Sequence, residues 1–506
     1  MKDLNYYKEI IKEKRKTTNF KDYLKEIVSH FPMTYYKNCW VISKFPETKR
    51  VGKVIKAKDF SEKSDELLKS GIDYNSEISF FDNYEKLFLE TNIFNVIDHW
   101  GAENSDYADM VYNSKNAYLS TVIISNCENV LYSISTKDNC TNVLNSIATW
   151  SNSENIYFCS GILNSFKVFY SRFINNSNNI WFSTNMIGCQ ECINCNDLEN
   201  QKYYINNEKL EKTEYLKQKK EILKNKSNFE ETYSKLDSKW KNINSTNTTW
   251  SSMFSSENVE NGYFWYYVKD SKNVMFTWWV DWDNNMYDVF TAGSPTAHDF
   301  YWVMWANWEN LYCCKNITIS SNLFYSYWCD SCSFCIWCIW LKNKNYCILN
   351  KQYSKEDFEI LSDKIFWKME ENGELWEFFP AKLNPFYFND TVSWLIWGFK
   401  KEEIIKEWFL WRDEKIKVDI PDENDLIYSS PQPSPEGEGV KSLDDFEWFD
   451  SDWNWKINPE ILKKVIKDDS WNYYRIVKME YDFLVKHSLP LPRLHWLDRM
   501  KVNFGV

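Results

Sequence analysis

Glycine and histidine are scarce in this chain. Only 12 of its 506 residues are Gly, against 27 Trp, whereas Gly ordinarily makes up about 7% of a protein. The sequence contains no Gly-rich phosphate loop, which argues against a nucleotide site of that kind. The His residues show no metal-ligand spacing and are expected to be structural. They are His30, His99, His298, His487 and His495.

The chain also lacks an excess of basic residues and long apolar runs. Its net charge is -12 and its pI is about 5.2. These values argue against nucleic-acid and membrane partners, because phosphate binding needs clustered Lys and Arg. No stretch is apolar for long enough to span a bilayer. The charged start predicts no secretory signal, so we expect a cytoplasmic protein whose 14 Cys are reduced thiols.

What the sequence does contain is repetition. Residues 116–207 and 259–350 repeat each other at an offset of 143. Several uncommon residues share this offset, in the pairs Cys189 and Cys332, Cys192 and Cys335, Cys195 and Cys338, Tyr203 and Tyr346, and Asn207 and Asn350. We interpret the two stretches as an internal duplication, and such self-similarity is typical of stacked repeat folds.

Each stretch is built from a shorter unit of 12 to 13 residues, marked by Asn. One example is Ser-Glu-Asn155-Ile156-Tyr-Phe. Alternation after the Asn indicates a short strand, and Asn tolerates the left-handed backbone of a tight corner. The pattern predicts a parallel β-solenoid in which Val130, Val143 and Ile156 form one column. One turn could contain one unit or two, and the sequence leaves both open.

We therefore predict a mainly β fold: two tandem parallel β-solenoid blocks, with helical N-terminal, inter-block and C-terminal segments. A helix is expected to cover the open end of each block, where backbone would otherwise be unpaired. Near the C-terminal end of the chain, helices are expected at 460–467 and 477–487. The predicted boundaries are a helical or mixed region at 1–100, a solenoid block at 101–207, a helix and linker at 208–250, a second block at 251–350, a helical or mixed region at 351–428, a flexible linker at 429–441 and a helical region at 442–506.

Many Trp residues occupy positions where a turn, or the small-residue position of the repeat, predicts Gly. Examples are Trp279, Trp308 and Trp455. We hypothesise that many of the Trp are Gly in the native protein, encoded by UGA codons that the native cell reads as Gly. The alternative is a genuinely Trp-rich solenoid, and UGG codons at these three positions would establish it.

The candidate metal site is a thiol cluster formed by Cys329, Cys332, Cys335 and Cys338. Four thiolates at this spacing can surround Zn²⁺ where the chain turns back on itself, so zinc is the cofactor that the cluster predicts. The alternative is that the thiols are small apolar side chains that fill the repeat interior. That alternative expects residues three apart to point to opposite faces of a strand, which would hinder chelation.

A second candidate site is a Ca²⁺ loop. Asp450, Asp452 and Asn454 supply oxygens at its first, third and fifth positions. The sixth position of such a loop needs Gly and is Trp455 here. The alternative is a polar loop that precedes a helix.

A third candidate is a glycan-cleaving site, which would need paired carboxylates in a cleft. The close pairs are Asp106 with Asp109 and Asp281 with Asp283. Sugars would stack on aromatic side chains, for which the candidates are Tyr157, Tyr170, Tyr263, Tyr266 and Tyr287. The alternative is that these acidic residues are solvated loop residues.

Three segments carry a resemblance to a known family: Asn343-Lys-Asn-Tyr-Cys-Ile-Leu-Asn350, Glu377-Phe-Phe-Pro and His487-Ser-Leu-Pro-Leu-Pro. From about residue 70 onward, the chain resembles uncharacterised Cys-rich repeat proteins of uncultured small-genome bacteria, which often begin with a zinc ribbon. The resemblance implies metal-binding thiols and a lineage that includes organisms reading UGA as Gly. Only Cys39 lies within the first 100 residues, so that zinc ribbon is missing or eroded here.

Some proteins of that group carry the label of a CoA-transferase. That chemistry uses a catalytic Asp in an α/β fold, so the label does not transfer to a solenoid. An extended repeat face without a catalytic constellation instead predicts a non-enzymatic scaffold or binding protein whose ligand is an unknown protein or polymer. The alternatives are a zinc-binding protein and a glycan-binding or glycan-cleaving β-helix.

Overall fold

The main structural feature of the chain is a parallel β-solenoid. In the computed structural model, the described residues are mainly β and form about 17 solenoid turns, here called coils, with helices towards both termini. The chain divides into two compact units. Unit 1 comprises Met1–Asp98 and Lys239–Trp411, and unit 2 comprises His99–Ser238 and Arg412–Val506. The structure describes residues 4–38, 41–55, 67–95, 99–237, 245–249, 253–254, 256–263, 265–266, 268–276, 283–292, 300–306, 310–317, 319–375, 377–416, 425–431 and 441–505.

In unit 2, the described solenoid strands from Ala108–Tyr112 to Lys202–Ile205 alternate along the chain between two sheets. The first sheet contains His99–Trp100, Ala108–Tyr112, Ser120–Ile124, Ile134–Lys137, Ile147–Trp150, Ser160–Leu163, Arg172–Asn175, Thr184–Ile187 and Asn196–Glu199. The second contains Lys115–Tyr118, Glu128–Leu131, Thr141–Leu144, Glu154–Tyr157, Phe166–Phe169, Asn178–Trp181, Gln190–Ile193, Lys202–Ile205 and Glu208–Lys209. All pairs are parallel except the one that Glu208–Lys209 makes.

Each coil of this solenoid consists of one repeat unit. Val143 pairs in register with Val130 on one side and with Ile156 on the other, a step of 13 residues. All three side chains are fully buried. The step shortens to 12 between Val168 and Ile180. The predicted column is confirmed, and one unit per coil is the arrangement observed.

In unit 1, the described solenoid strands form one main sheet. It contains Thr246–Thr248, Glu257–Tyr263, Val268–Met275, Asp283–Asn284, Met286–Ala292, Phe300–Ala306, Leu311–Tyr312, Lys315–Ile317, Ser321–Phe324, Ser333–Ile336, Asn345–Ile348 and Lys351–Gln352. Shorter pairs are Met253–Phe254 with Trp265–Tyr266, Tyr36–Asn38 with Val41–Ser43, and Val54–Ile55 with Ile93–Phe94.

The solenoid segments of both units end in the same way. A two-residue strand folds back antiparallel on the strand before it, and a helix follows. These elements are Lys202–Ile205, Glu208–Lys209 and Lys212–Ile222 in unit 2, and Asn345–Ile348, Lys351–Gln352 and Lys355–Asn372 in unit 1, with first residues 143 apart in every pair. The helix packs on the last coil in each unit, through Tyr215 on Tyr203 and through Phe358 on Tyr346.

The remaining helices of unit 1 lie near its termini. The N-terminal segment forms helices Leu4–Arg15 and Phe20–Glu26, within the region predicted as helical or mixed. Arg15 Nε donates to a carboxylate oxygen of Asp288 at 2.7 Å, and both side chains are buried. The others are the α-helices Phe80–Glu90, Val392–Ile396 and Lys401–Lys406, and the 3-10 helices Val28–His30, Ala381–Leu383 and Phe388–Asp390. No described helix is both long and apolar enough to cross a membrane.

The C-terminal part of unit 2 covers faces of its solenoid. Phe483 stacks on Tyr157 at 5.9 Å, and Trp496 stacks on Tyr132 at 6.1 Å between ring centroids. The other α-helices of unit 2 are Phe229–Ser234, Lys478–His487 and Trp496–Phe504, and its 3-10 helices are Lys226–Asn228, Leu443–Phe446 and Pro459–Lys463. Its strands outside the solenoid are Leu426–Tyr428, Glu447–Phe449, Trp455–Ile457, Val465–Lys467 and Tyr473–Tyr474.

One predicted helix of this region differs in the structure. Residues 460–467 form the end of the 3-10 helix Pro459–Lys463 and then the strand Val465–Lys467. That strand pairs with Leu426–Tyr428, about forty residues earlier in the chain, so a distant partner outweighs the local helical pattern. Of the predicted linker, residues 432–440 lie outside the described residues.

Candidate functional site

The solenoid turns a corner at every third residue. Left-handed backbone marks the corners, with φ of 57° at Asn142, 50° at Asn145 and 54° at Ala148. The residue after each corner is buried; in this coil these residues are Val143, Ser146 and Thr149. Residues three apart therefore face the same interior, unlike residues three apart on a straight strand.

Serine and cysteine share positions in the interior of unit 2. One buried column contains Ser120, Ser133, Ser146, Cys159, Ser171, Ser183 and Cys195. Ser146 Oγ donates to the carbonyl oxygen of Leu144 at 2.8 Å and accepts from the Cys159 N–H at 3.3 Å. Cys159 Sγ donates to the carbonyl oxygen of Tyr157 at 3.2 Å. A thiol thus repeats the bond that a hydroxyl makes one coil earlier.

The four predicted zinc ligands occupy successive interior positions of a single coil in unit 1. Cys329, Cys332, Cys335 and Cys338 each follow a left-handed residue, and none exposes more than 2% of its surface. The expectation that residues three apart would point to opposite faces is wrong, because the left-handed corner between them redirects the chain. The structure brings all four thiols into one interior.

These thiols contact the backbone and one another. Cys332 Sγ lies 3.3 Å from the carbonyl oxygen of Asp330. Hydrogen bonds from Cys329 and Cys335 lower the pKa of the Cys332 thiol to about 4, whereas burial raises the pKa of Cys329 and of Cys338. Across the described parts of the chain, no three His, Cys, Asp or Glu side chains are placed so that they could hold a metal ion.

The equivalent coil of unit 2 contains three thiols. Cys189, Cys192 and Cys195 are buried at successive interior positions. The position equivalent to Cys329 is Met186, which is buried in the same core. A set of four thiolates is therefore not available in this coil.

The candidate Ca²⁺ loop is a tight hairpin turn. Asp450 Oδ1 accepts from the backbone N–H groups of Asp452 and Asn454, at 3.0 and 2.8 Å. Trp455 lies in the strand that follows, and its indole N–H donates to the carbonyl oxygen of Leu489 at 3.0 Å. The left-handed residue of the turn is Trp453. The Asp450 carboxylate stabilises this turn, and the residue that needs Gly is two positions earlier than the sequence pattern suggested.

The aromatic side chains named as sugar platforms are poorly placed for stacking. Tyr157 and Tyr170 are fully buried, so a ligand could not reach them. Tyr287 is half-buried. The side chains of Tyr263 and Tyr266 lie outside the described residues.

Of the two carboxylate pairs, Asp106 with Asp109 lies within the described residues. Asp106 is exposed, whereas Asp109 is buried and its Oδ1 accepts from the N–H of Met110 at 2.9 Å. Asp281 and the side chain of Asp283 lie outside the described residues. Trp279 and Trp308 also lie outside them.

One face of the unit 2 solenoid is left uncovered by the rest of the described unit. Its outward residues are all exposed or half-buried: Lys115, Glu128, Thr141, Glu154, Phe166, Asn178, Gln190 and Lys202. By contrast, Leu131, Leu144 and Phe169 on the adjacent face are buried. Two Lys and two Glu balance the charge of this surface. We call it, together with the Asn corners on both sides, the amide face.

Ladders of Asn side chains border the amide face. Along one side, the amide of Asn126 donates to Asn139 at 3.3 Å and that of Asn139 to Asn152 at 3.2 Å. Along the other, Asn116 donates to Asn129 at 3.0 Å. Each primary amide has two N–H donors and two lone pairs, so the exposed ladder keeps donors and acceptors that point outward. The column of Asn126, Asn139 and Asn152 has the same 13-residue spacing as the column of Asn116 and Asn129. This second column could therefore have been found from the sequence.

Comparison with known proteins gives no relative from which a role could be taken. No protein-family model, curated protein or solved structure matches this chain. Its function has to be argued from the geometry of the molecule.

Proposed function

We propose that this protein is a non-enzymatic scaffold whose amide face binds a protein or a polymer. The observation that supports the proposal is the uncovered face itself, which repeats the same amide groups from coil to coil. Paired strands are about 4.8 Å apart, so a long partner with regularly spaced polar groups meets a matching row of donors and acceptors. The balanced charge favours an uncharged partner over a nucleic acid.

A bulky residue in the middle of the amide face should weaken this binding. Thr141 is half-buried on the face, and Thr213 is exposed in the helix Lys212–Ile222. Immobilised full-length Thr141→Tyr should retain at least about tenfold less of its partner from native lysate than wild type, a loss typical of a blocked interface centre. Thr213→Tyr provides the same substitution off the face and should bind as wild type does.

Quantitative mass spectrometry and a glycan array read out protein and polysaccharide partners separately. Equal capture by wild type and Thr141→Tyr, with no glycan bound, would remove the amide face as the binding site. A glycan retained by wild type and lost by Thr141→Tyr would identify the partner as a polymer.

One observation favours a second candidate function, zinc binding: four thiols occupy the interior of one coil. Zinc would have to replace their backbone hydrogen bonds and take their protons. Burial raises the pKa of Cys329 and Cys338 and so opposes that loss. We therefore expect substoichiometric zinc in the purified protein by elemental analysis. One zinc per chain that disappears in a Cys329→Ser, Cys332→Ser double variant would establish the metal site instead.

The same proposal includes an internal duplication that produced two tandem solenoid blocks. Its support is the offset of 143 residues shared by the closing strand and helix of each segment. The rings that pack there, Tyr203 with Tyr215 and Tyr346 with Phe358, keep this offset too. Two segments of independent origin would not be expected to share both the sequence positions and the ring contacts.

A cytoplasmic location is also part of the proposal. All 13 of the described Cys residues are free and buried. Unpaired thiols of this number suit a reducing compartment better than an oxidising one.

We propose further that UGA codons read as Gly account for many of the 27 Trp. The chemistry of the surface depends on whether these codons are read as Trp or as Gly. Exposed Trp would make the surface aromatic, whereas Gly would leave no side chain there. The test is the gene: UGG at every Trp position would end this part of the proposal.

A further inference from the structure

Outside the solenoid, left-handed backbone occurs at few of the described residues. Two of them are Gly at helix ends, Gly373 and Gly505. The others between residues 4 and 98 and between 353 and 505 are Trp408, Trp453, Trp471 and Ser488. Side chains with a Cβ are strained in this conformation and Gly is not. Trp is thus unusually frequent where Gly is preferred.

Trp408 occupies the glycine position of a helix C-terminal motif. It follows the helix Lys401–Lys406 with φ of 69°. The Trp408 N–H donates to the carbonyl oxygen of Ile405 at 3.0 Å, and the Phe409 N–H donates to that of Ile404 at 3.3 Å. This pair of bonds defines the Schellman motif, whose left-handed residue is usually Gly.

Trp453 and Trp471 occupy the same position in two equivalent hairpin loops. The loops read Asp450-Ser-Asp-Trp453-Asn and Asp468-Asp-Ser-Trp471-Asn. In each, the Trp N–H donates to the carbonyl oxygen of the first Asp, at 3.0 and 2.9 Å. The Trp φ values are 60° and 65°. A three-residue hairpin loop ends in a left-handed residue, for which Gly is the ordinary choice.

The rings of these three residues are largely in solvent. Trp408, Trp453 and Trp471 expose 74%, 60% and 65% of their surface. Little burial of apolar area therefore offsets the backbone strain. Two of the rings do contact a lysine: Lys467 Nζ lies 3.4 Å from the centroid of the Trp471 ring, and Lys224 Nζ lies 4.8 Å from that of the Trp453 ring. Cation–π contacts at exposed sites contribute only about 0.5–1 kcal/mol, which is less than the roughly 1–2 kcal/mol cost of a left-handed residue with a Cβ.

Other Trp residues have the surroundings of genuine Trp. The Trp150 indole N–H donates to the carbonyl oxygen of Ser135 at 3.1 Å. Trp181 stacks on Phe169 at 4.4 Å between centroids, and Trp496 is buried on Tyr132. Buried indoles with a satisfied N–H and an aromatic contact are typical of Trp.

We infer that Trp408, Trp453 and Trp471 are Gly in the native protein, whereas Trp150, Trp181 and Trp496 are Trp. The inference rests on the proposed UGA reading and assigns it residue by residue. Left-handed backbone together with an exposed ring marks a UGA codon, and a buried, hydrogen-bonded or stacked ring marks UGG.

Gene sequencing and peptide mass spectrometry of the protein from its native cells test the assignment directly. We expect UGA and a Gly-mass peptide at 408, 453 and 471, and UGG and a Trp-mass peptide at 150, 181 and 496. If no Trp codon is UGA, both the UGA proposal and the assignment fail. If UGA codons are present but fall at 150, 181 or 496 instead, only the assignment fails.

Thermal stability of the full-length recombinant chain provides a second readout. Trp453→Gly and Trp471→Gly should each raise Tm by about 2 to 4 °C, because they relieve strain without loss of a buried contact. The matched control is Trp448→Gly. Trp448 is also exposed, at 47%, but lies in the extended strand Glu447–Phe449 of the same hairpin. Because Gly in a strand is destabilising, the Tm of the Trp448→Gly variant should fall.

Both Trp→Gly changes in this hairpin increase the freedom of the unfolded chain equally. The difference between them therefore reports the folded state, in which only Trp453 is left-handed. Equal falls in Tm for Trp453→Gly and Trp448→Gly would overturn the inference.

Discussion

At the scale of single residues, the solenoid depends on side chains that accept left-handed corners. Asn occupies many corners, but Tyr170 and Phe182 occupy others. A left-handed L-residue costs roughly 1–2 kcal/mol. For these two rings the cost is offset by burial, since both contact Phe229, at 5.3 and 4.9 Å between centroids. Trp453 is 60% exposed and therefore gains much less from burial.

The interior hydroxyls give a test of what the thiols do. Ser146→Ala removes the acceptor of the Cys159 N–H and should lower the free energy of unfolding by about 1–3 kcal/mol. Ser146→Cys keeps a group that can donate to the Leu144 carbonyl and should lose less. Urea unfolding of the full chain measures both. If the Cys variant is as unstable as the Ala variant, Ser and Cys are not interchangeable, and the interior-filler explanation of the thiols fails.

At the scale of an element, the last helix of unit 2 depends on a buried histidine. His495 Nδ1 accepts from the Leu497 N–H at 3.3 Å and caps the helix Trp496–Phe504. Burial, together with the charges of Arg499, Arg412 and Lys415, lowers the pKa of His495 to about 3. The folded helix therefore requires a neutral imidazole, because a proton on Nδ1 would remove the acceptor of the cap.

This histidine should make unit 2 sensitive to acid. In the unfolded chain its pKa is about 6.5, so below that pH the unfolded state binds a proton that the folded state does not. Stability should fall as the pH drops from 6.5 towards 3, by about 2 kcal/mol at pH 5. His495→Asn keeps a helix cap that does not titrate and should lose the contribution of His495, while that of His487, whose pKa burial lowers to about 4, should remain.

Urea unfolding at pH 7 and pH 5 measures the effect. His99→Asn, at an exposed histidine, is the control and should keep the full pH dependence. An unchanged dependence in His495→Asn would show that other groups cause it.

At the scale of the whole molecule, the repeat was readable because its period is written directly in the sequence. The recurring Asn and the alternation after it predicted the column of Val130, Val143 and Ile156, which the register confirms. Of the two explanations of the thiols, the interior-filler one placed residues three apart on opposite faces, whereas the four Cys share one interior. The corners at Trp328 and Ser331 are left-handed although neither residue is Asn. The sequence therefore did not indicate that the chain changes direction between Cys329 and Cys332.

Contacts between distant segments were also beyond the sequence pattern. The C-terminal residues group with the earlier solenoid-containing segment of unit 2, and Asn503 donates to the carbonyl oxygen of Asn145 at 2.6 Å. The strand Val465–Lys467 exists because Leu426–Tyr428 is its partner. Local periodicity carries no information about such partners, whereas the stacked repeats are each other's neighbours in sequence as well as in space.

The one-unit coil has a consequence for how such a gene changes. Because a strand such as Thr141–Leu144 pairs only with the equivalents one coil before and after it, loss or gain of a complete coil leaves every remaining register intact. A partial coil would shift each later side chain out of its column. Replication slippage is therefore tolerated only in multiples of the repeat, and members of such a lineage should differ in length by whole coils.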